Sequence, residues 1–266
     1  MTSKTQSRQA RQERARAMRE AEQAASRRRR RQFVALGVAV VVVLAVVIGI
    51  AVGSSKSGSG GSVALPADAV TTGSKTAQGS MIIGKSTAPV TLDAYEDFTC
   101  PICGEFEKTA GSTVSKMIND GTLKVRYHMM SFIDDNNGGT YSHRAANAFA
   151  AADTYGGADK ALALHTILYA HQPDETSKAG LSDQQILSYA AQVGLTSPQF
   201  VNAVKTMAFK GWVNKVADDA SKAGVNGTPT FYLNGKSVST QTLLDSTGQA
   251  FSAQKFEQAV NAAKQS

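Results

Sequence analysis

Two cysteines, Cys100 and Cys103, are the only cysteines of the chain and are separated by two residues. They lie where an apolar run, residues 89–95, gives way to a segment whose pattern predicts a helix over residues 104–119. A Cys-x-x-Cys pair between a strand and a helix is typical of a reversible dithiol–disulfide centre. The spacing therefore predicts thiol–disulfide exchange.

The predicted helix gives the two thiols different roles. Cys100 would be the N-cap, and Pro101 would occupy the first helical position, where its missing N–H costs nothing. The free N–H groups of the first turn and the positive end of the helix dipole would then stabilise a Cys100 thiolate. We expect Cys100 to be the exposed nucleophile and Cys103, which is less exposed, to attack a mixed disulfide held on Cys100.

Three other interpretations of the pair remain open. A structural disulfide would close a very small loop and would remove little entropy from the unfolded state. A zinc site needs about four ligands, but the chain has no second cysteine pair. Its four histidines show no ligand spacing relative to the cysteines: His128, His143, His165 and His171. Two inert buried thiols are the third alternative. We favour redox chemistry by the two thiols themselves and expect neither a metal site nor a cofactor.

Positive charge is concentrated in the first 32 residues. They carry eleven basic and three acidic residues, a net charge of +8, whereas the whole chain carries +7, so residues 33–266 sum to −1. A basic chain often binds nucleic acid, but here the basic segment adjoins an apolar run. We therefore predict a basic cytoplasmic tail over residues 1–32 and expect no nucleic-acid partner.

An uncharged run from Phe33 to Val52 is long enough to cross a bilayer as one helix, which takes about 20 residues. Arg27–Arg31 adjoin its N-terminal end, so the positive-inside rule places the tail in the cytoplasm and the later residues outside. We predict a single-pass signal-anchor in the cell membrane over residues 33–53. A cleavable signal peptide is the alternative, although its apolar region usually spans only about 7–15 residues.

Residues 54–78 are predicted to be a flexible linker, since residues 54–62 are almost entirely glycine and serine. Residues 79–266 would then form the folded domain. Its apolar periodicity predicts strands at 90–95, 122–128, 230–233 and 236–238, a loop at 134–139, and helices at 104–119, 141–154, 158–170, 182–193, 197–207, 209–223 and 251–263. The pair Asn234-Gly235 predicts a tight hairpin between the last two strands.

A second motif, Gly227-Thr228-Pro229-Thr230, stands directly before the hairpin. Proline cannot donate a hydrogen bond to a strand ladder, so its position there is unusual. Taken alone, Pro229 would be interpreted as a turn proline. Its occurrence together with the cysteine pair and this order of elements favours a functional role.

With both motifs in place, residues 80–266 resemble the DsbA-like branch of the thioredoxin superfamily, which comprises extracytoplasmic bacterial thiol–disulfide oxidoreductases. The resemblance rests on residues 96–103, on residues 227–230 and on the helical stretch between them. It implies an α/β thioredoxin fold with a helical insertion over residues 135–210. The insertion would cap one side of the cysteine pair.

The resemblance also implies roles for individual residues. The Thr228–Pro229 bond would be cis and would lie beside the cysteines, with Pro229 completing the catalytic site. The backbone of Thr228 would pair with an extended substrate segment, as in recognition by strand addition. Pro101 and Ile102 would contact the substrate.

Two features near the motif concern proton transfer and redox strength. Relatives often carry a buried acid below the cysteines, and Glu96 and Asp97 are the candidates for proton transfer. They point in opposite directions at the end of a strand, so at most one faces the sulfurs, and a solvated acidic turn is the favoured interpretation of either residue. Strongly oxidising relatives have histidine where this chain has Ile102.

The predicted function is the formation of disulfides in secreted or surface proteins. Disulfides form and persist outside the cytoplasm, and the substrates would be thiols of unfolded or folding chains. Since the chain has no further cysteines, a separate membrane redox partner, such as a quinone-linked oxidase, would have to reoxidise it. Reductase or isomerase activity is the first alternative, and a non-catalytic, membrane-tethered binding module is the second.

Overall fold

The computed structural model of the protein describes residues 64–69 and 79–265. The predicted cytoplasmic tail, the predicted membrane span and most of the predicted linker lie outside these residues. No helix within the described part of the chain is both long enough and apolar enough to cross a membrane.

Five strands form one sheet in the order β1-β3-β2-β4-β5. The strands are β1 (Met81–Ile83), β2 (Val90–Asp97), β3 (Leu123–Met130), β4 (Thr230–Leu233) and β5 (Lys236–Val238). The central pair β2–β3 is parallel, and the other pairs are antiparallel. A parallel pair needs a crossover, which the helix between β2 and β3 provides.

Eight α-helices surround the sheet in the described residues. They are α1 (Pro101–Asp120), α2 (Phe132–Asn137), α3 (Tyr141–Gly156), α4 (Ala158–Ala170), α5 (Asp183–Gln192), α6 (Pro198–Lys205), α7 (Lys210–Lys222) and α8 (Ala253–Lys264). Helices α2 to α6 make up the insertion, and α7 returns the chain to β3. This order confirms the predicted thioredoxin fold with a helical insertion.

The core has two parts that meet at the end of β2. On one face of the sheet, Phe106 of α1 lies between the rings of Phe231, Phe251 and Phe256, with centroid distances of 4.5–5.5 Å. In the insertion, the alanine-rich helix α3 is buried on most sides, including its polar residues Ser142, Asn147 and Asp153. Both parts contribute side chains to the surroundings of the cysteine pair.

Three local predictions are corrected by the structure. The predicted loop at 134–139 is mostly helix α2, which ends at Gly138 in the left-handed conformation, with φ of 71°. Asp134 stabilises it by accepting a hydrogen bond from the backbone N–H of His143 over 3.0 Å. Strand β2 extends to Asp97 and β3 to Met130, beyond the predicted ends, because burial on both faces continues along them.

Part of the predicted flexible linker packs on the domain. Ala69 forms an isolated β-bridge with Met81. The backbone N–H of Asp68 donates a hydrogen bond to the carboxylate of Asp153 over 2.9 Å, and Pro66 is buried. These contacts hold residues 66–69 against the folded domain, so this part of the predicted linker is in contact with the domain.

Candidate active site

The cysteine pair lies at the junction of β2 and α1. Cys100 is the N-cap with extended backbone angles, φ −69° and ψ 116°, and proline follows in the first turn. The Cys100 backbone N–H donates to the Asp97 carbonyl over 2.8 Å, while the Gly104 N–H donates to the Cys100 carbonyl over 3.1 Å. The predicted capping arrangement is therefore confirmed.

Exposure differs sharply across the four residues of the motif. Cys103 is fully buried, and Cys100 keeps only 5% of its surface exposed. The prediction of an exposed Cys100 is therefore wrong, but Cys100 remains the more accessible of the two thiols. Pro101 and Ile102, the predicted substrate contacts, are both exposed, and Ile102 retains 56% of its surface.

The two free thiols differ in acidity. A hydrogen bond from Cys103 is the largest cause that lowers the pKa of Cys100 to about 7, against the opposing effect of burial. The backbone N–H groups of Cys103 and Ile102 add to it. Burial, together with the nearby Cys100 and Glu96, raises the pKa of Cys103 well above its usual value. The Cys100 sulfur is thus the one suited to act as a nucleophile near neutral pH.

The motif around Thr228 and Pro229 contacts the sulfur of Cys100. The Thr228–Pro229 bond is cis, as the resemblance implies. The Cys100 thiol donates a hydrogen bond to the Thr228 carbonyl over 3.4 Å, across 128 positions in sequence. We expected the Thr228 backbone to be available for an extended substrate. In the dithiol form, its carbonyl instead accepts the hydrogen bond from the Cys100 thiol.

Glu96 lies on the face of β2 that carries the cysteine helix. It is fully buried, and its Oε2 lies 3.0 Å from Nε2 of His165 on α4. Burial is the largest cause that raises the pKa of Glu96 to about 8, and Cys100 also raises it. Glu96 therefore stays protonated at neutral pH, and its ionisation would raise the pKa of Cys103.

Asp97 points to the opposite face, as the alternation of a strand requires. It is fully buried and accepts hydrogen bonds from the backbone N–H groups of Thr99 and Ile133, over 2.9 and 3.1 Å, and from the Ser142 hydroxyl. Burial raises its pKa to about 6 despite these donors. The favoured interpretation of both acids as a solvated turn is wrong, and Asp97 stabilises the loop that carries Cys100.

Sequence patterns did not identify two further buried groups at this site. Glu107 of α1 has a side chain that is 7% exposed, and its Oε2 lies 3.8 Å from Nδ1 of His165. Burial and the nearby Glu96 raise the pKa of Glu107 to about 8. Burial lowers the pKa of His165. For Glu107, the sequence offered one signal, which is its position on the helix that carries the cysteines. For His165 it offered none, because His165 lies 69 residues from Glu96.

A groove runs between α1 and α4 beside the cysteine pair. We call it the α1–α4 groove. Its volume is about 680 Å³, and its lining residues are mostly polar or small, including Pro101, Glu105, Glu107, Ser112, Thr166 and Tyr169. Gly111 keeps it open, because a Cβ there would lie 2.6 Å from Oε2 of Glu107. The groove thus connects the surface with Glu107.

Comparison with known proteins supports the fold assignment. A family model described as thioredoxin matches residues 76–253. The serine/threonine-protein kinase PknE of Mycobacterium tuberculosis is 31% identical over 165 residues, which make up 59% of this chain and 29% of the kinase. The chain therefore corresponds to less than a third of that relative.

Solved structures show the same architecture. The oxidised DsbA of M. tuberculosis superimposes with a TM-score of 0.58 at 22% identity, covering 70% of this chain and 93% of that one. MdbA of Actinomyces oris, a thiol–disulfide oxidoreductase, gives a TM-score of 0.60 at 18% identity, covering 79% and 93%. Both likenesses extend over the insertion as well as the sheet, so the fold is DsbA-like. The chain belongs to the thioredoxin family.

Proposed function

We propose that this chain is an extracytoplasmic thiol–disulfide oxidoreductase that forms disulfides in secreted or surface proteins. The observation that carries the proposal is the position of the Cys100 sulfur. It lies at the N-terminus of α1, 3.4 Å from the Thr228 carbonyl and next to the buried Cys103 thiol. One sulfur is thus placed for attack by a substrate, and the other is placed for release.

In the oxidising direction, the reaction starts from a Cys100–Cys103 disulfide. A substrate thiolate attacks the Cys100 sulfur, forms a mixed disulfide with it and displaces Cys103 as the leaving thiolate. A second substrate thiolate then attacks the sulfur of the first substrate cysteine, which forms the substrate disulfide and releases Cys100 as a thiolate. Two electrons pass to the chain, and both of its cysteines end reduced.

The surroundings suit each step. Cys103 is buried and its pKa is raised, so it takes up a proton after release, and Glu96 is the nearest buried acid that can supply one. Cys100 leaves readily, because its pKa is about 7 and thiols of lower pKa leave faster. No cofactor is required, since the electrons are carried by the two sulfurs.

Substrate binding is proposed at the Thr228 carbonyl and the exposed pair Pro101 and Ile102. In the disulfide form, Cys100 has no S–H to donate to the Thr228 carbonyl, so the backbone of an extended chain would pair with that carbonyl. Main-chain hydrogen bonds place no demand on the substrate sequence. This fits a protein that acts on many unfolded chains.

Trapping of mixed disulfides tests the mechanism. Cys103→Ser should accumulate mixed disulfides with secreted proteins, because nothing resolves them, whereas Cys100→Ser should accumulate few. Equal trapping by the two variants would contradict the assigned roles. The reduction potential, measured against glutathione, separates an oxidase from the reductase or isomerase alternative. A binding module would show neither trapping nor exchange.

Residues 33–53 are proposed to anchor the domain outside the cell membrane, where a membrane redox partner reoxidises it. The support is the uncharged run beside Arg27–Arg31 and the positive-inside rule. Protease added to intact cells should remove the domain and leave the tail protected. A soluble form that begins near Ser54 in the cell-free fraction would contradict anchoring.

A further inference from the structure

Three ligand-type side chains from different elements meet behind the cysteine pair. Glu96 of β2, Glu107 of α1 and His165 of α4 each place one ligand atom within 4.8 Å of the other two. The side chains of Glu96 and His165 are completely buried, and that of Glu107 is 7% exposed. We call these three residues the Glu–Glu–His cluster.

Several polar atoms of this cluster are buried without a hydrogen-bond partner. They are Oε1 of Glu96, Oε1 of Glu107 and Nδ1 of His165, and the hydroxyl of Tyr169 joins them. Burial and then Glu96 raise the pKa of Tyr169, which shows that its hydroxyl is near the same carboxylates. Buried polar groups in folded proteins are normally paired. When protonated, Glu96 can share hydrogen bonds with Glu107 and Tyr169, whereas a cation held by the carboxylates and the imidazole would partner all three residues of the cluster directly.

The cluster would need a compensating charge if both of its carboxyl groups ionised. Two ionised carboxylates would place a charge of −2 in an interior lined by aromatic rings, including Phe98, Tyr127 and Phe149. Within the described residues, the ion pairs of Glu96 and Glu107 involve only the histidine. Buried charge at this level is neutralised by protons or by a bound cation.

We propose that Glu96, Glu107 and His165 form a binding site for one divalent transition-metal ion of the Zn²⁺ class. One imidazole nitrogen and two carboxylate oxygens are ligands that Zn²⁺ accepts. Three protein ligands would leave one coordination position for water or another ligand. The proposal does not rest on the redox function, but it shares Glu96 with it, because a bound ion would displace the proton that Glu96 can give to Cys103. It differs from the expectation from sequence that the chain has no metal site.

Distances and ligand types favour Zn²⁺ over Ca²⁺ or Mg²⁺. Ligand atoms that share a tetrahedral Zn²⁺ lie about 3.3 Å apart, since each bond is about 2.0–2.2 Å. Nε2 of His165 and Oε2 of Glu96 are already 3.0 Å apart. Glu107 lies 3.8 Å from the other ring nitrogen, Nδ1, so its side chain must rotate towards Nε2 to bind the same ion. Calcium needs about six to eight oxygen ligands, and magnesium keeps several waters, which a buried cluster with an imidazole does not provide.

The α1–α4 groove gives the ion a route to the cluster. Glu107 lines the groove and belongs to the cluster, and Glu105 stands at the same wall. A cation entering the groove would pass Glu105 and Lys108 at its wall before it met the carboxylate of Glu107. Its binding would displace the protons that neutralise Glu96 and Glu107 in the metal-free protein, so the affinity should rise with pH.

Zinc titration of the full chain carrying Cys100→Ser and Cys103→Ser tests the proposal. Both thiols are replaced because thiolates bind Zn²⁺ themselves. Calorimetry should show one Zn²⁺ per chain, with protons released on binding. Adding His165→Gln should weaken binding at least about 100-fold, since even outer-shell partners of a metal site contribute about 10–100-fold. Adding His143→Gln is the matched control, because His143 pairs with Asp134 and Asp135 away from the cluster, and it should leave the affinity unchanged.

Two further measurements test the metal site even if the His165→Gln variant fails to fold. Glu107→Gln keeps the shape of the side chain at the edge of the cluster and should also weaken binding at least tenfold. X-ray absorption of the zinc-loaded parent should show a single imidazole among its ligands. Absence of Zn²⁺ binding by the parent, unchanged binding in either variant, or coordination by two imidazoles would overturn the site. The variant used for the titration has neither thiol. A failure of Zn²⁺ binding is therefore distinguishable from a failure of mixed-disulfide trapping, which needs the thiols.

Discussion

Gln172 donates a hydrogen bond from Nε2 to the carbonyl oxygen of Cys100 over 2.8 Å, although 72 residues separate them. The same amide nitrogen donates to the Phe98 carbonyl over 3.0 Å. Gln172 follows α4, so these bonds tie the helical insertion to the loop that carries the nucleophile. Gly104 makes room for them, because a Cβ there would lie 2.2 Å from the Gln172 side-chain oxygen. The insertion thus positions the active-site loop directly.

Replacing Gln172 tests this connection. Gln172→Ala should lower the free energy of unfolding by about 1–3 kcal/mol, since each intramolecular hydrogen bond contributes about 0.5–1.5 kcal/mol. Hydrogen exchange should also become faster in the loop around Cys100. Urea unfolding measures the first effect. Gln192→Ala, at an exposed position at the end of α5, is the control and should change stability little. Equal stability of the two variants would show that the connection contributes nothing.

Cys103 should control the acidity of Cys100. Cys103→Ala removes the hydrogen bond that contributes most to lowering the pKa of Cys100 to about 7, so this pKa should rise towards the usual value of 9.0. Between these pH values, the variant is less ionised and should react more slowly with iodoacetamide. Cys103→Ser keeps a donor and should retain most of the lowering. If the pH dependence of the iodoacetamide reaction is unchanged in Cys103→Ala, the lowered pKa of Cys100 is due to the helix N-terminus and not to Cys103.

Ile102 should limit the oxidising strength of the pair. Ile102→His would place an imidazolium near the exposed start of α1, which stabilises the Cys100 thiolate and therefore the dithiol form. Each unit by which the pKa of Cys100 falls corresponds to about 1.4 kcal/mol, or about 30 mV of reduction potential. Equilibration with glutathione measures the potential. Ile102→Gln, which is polar but uncharged, should shift it much less, and a larger shift with glutamine would contradict the electrostatic explanation.

Asp93 should depend on Arg126 for its burial. Asp93 is fully buried and lies 2.6 Å from Arg126 and 3.2 Å from His128. Arg126→Met leaves the carboxylate without its permanent cation and should destabilise the protein by about 3–5 kcal/mol. Lys116→Met is the control, because its pair with Asp120 is exposed and such pairs contribute about 0–1 kcal/mol.

The Arg126 variant should also gain a dependence on pH. Burial lowers the pKa of His128 and Arg126 lowers it further, while Asp93 raises it. Without Arg126, the folded-state pKa of His128 is higher than in the parent, so protonating His128 at low pH destabilises the variant less than it destabilises the parent. This relative gain is lost as the pH rises through the pKa. The destabilisation should therefore be smaller at acidic than at alkaline pH. If Arg126→Met lowers the free energy of unfolding equally at acidic and alkaline pH, protonated His128 does not replace Arg126 as the cation beside Asp93.

The sequence by itself determined the features that depend on neighbouring residues. Cys100 as the N-cap, proline in the first helical turn and the hairpin at Asn234-Gly235 follow from local backbone preferences, and all of them are found in the structure. Together with the order of strands and helices, they were sufficient to predict the fold and the insertion. The cis bond at Pro229 followed only from the family resemblance.

Only the tertiary structure decided which side chains surround the thiols. Glu96 and Asp97 are adjacent acids with the same local sequence context, yet one faces His165 and the other faces Ser142. Burial by the insertion raises the pKa of both, and neither is solvated. His165 and Gln172 reach the site from α4 and the turn after it, and their positions depend on how the insertion packs on α1. Packing joins residues far apart in sequence and leaves no local periodicity, which is why the sequence located the nucleophile and the structure was needed to locate its surroundings.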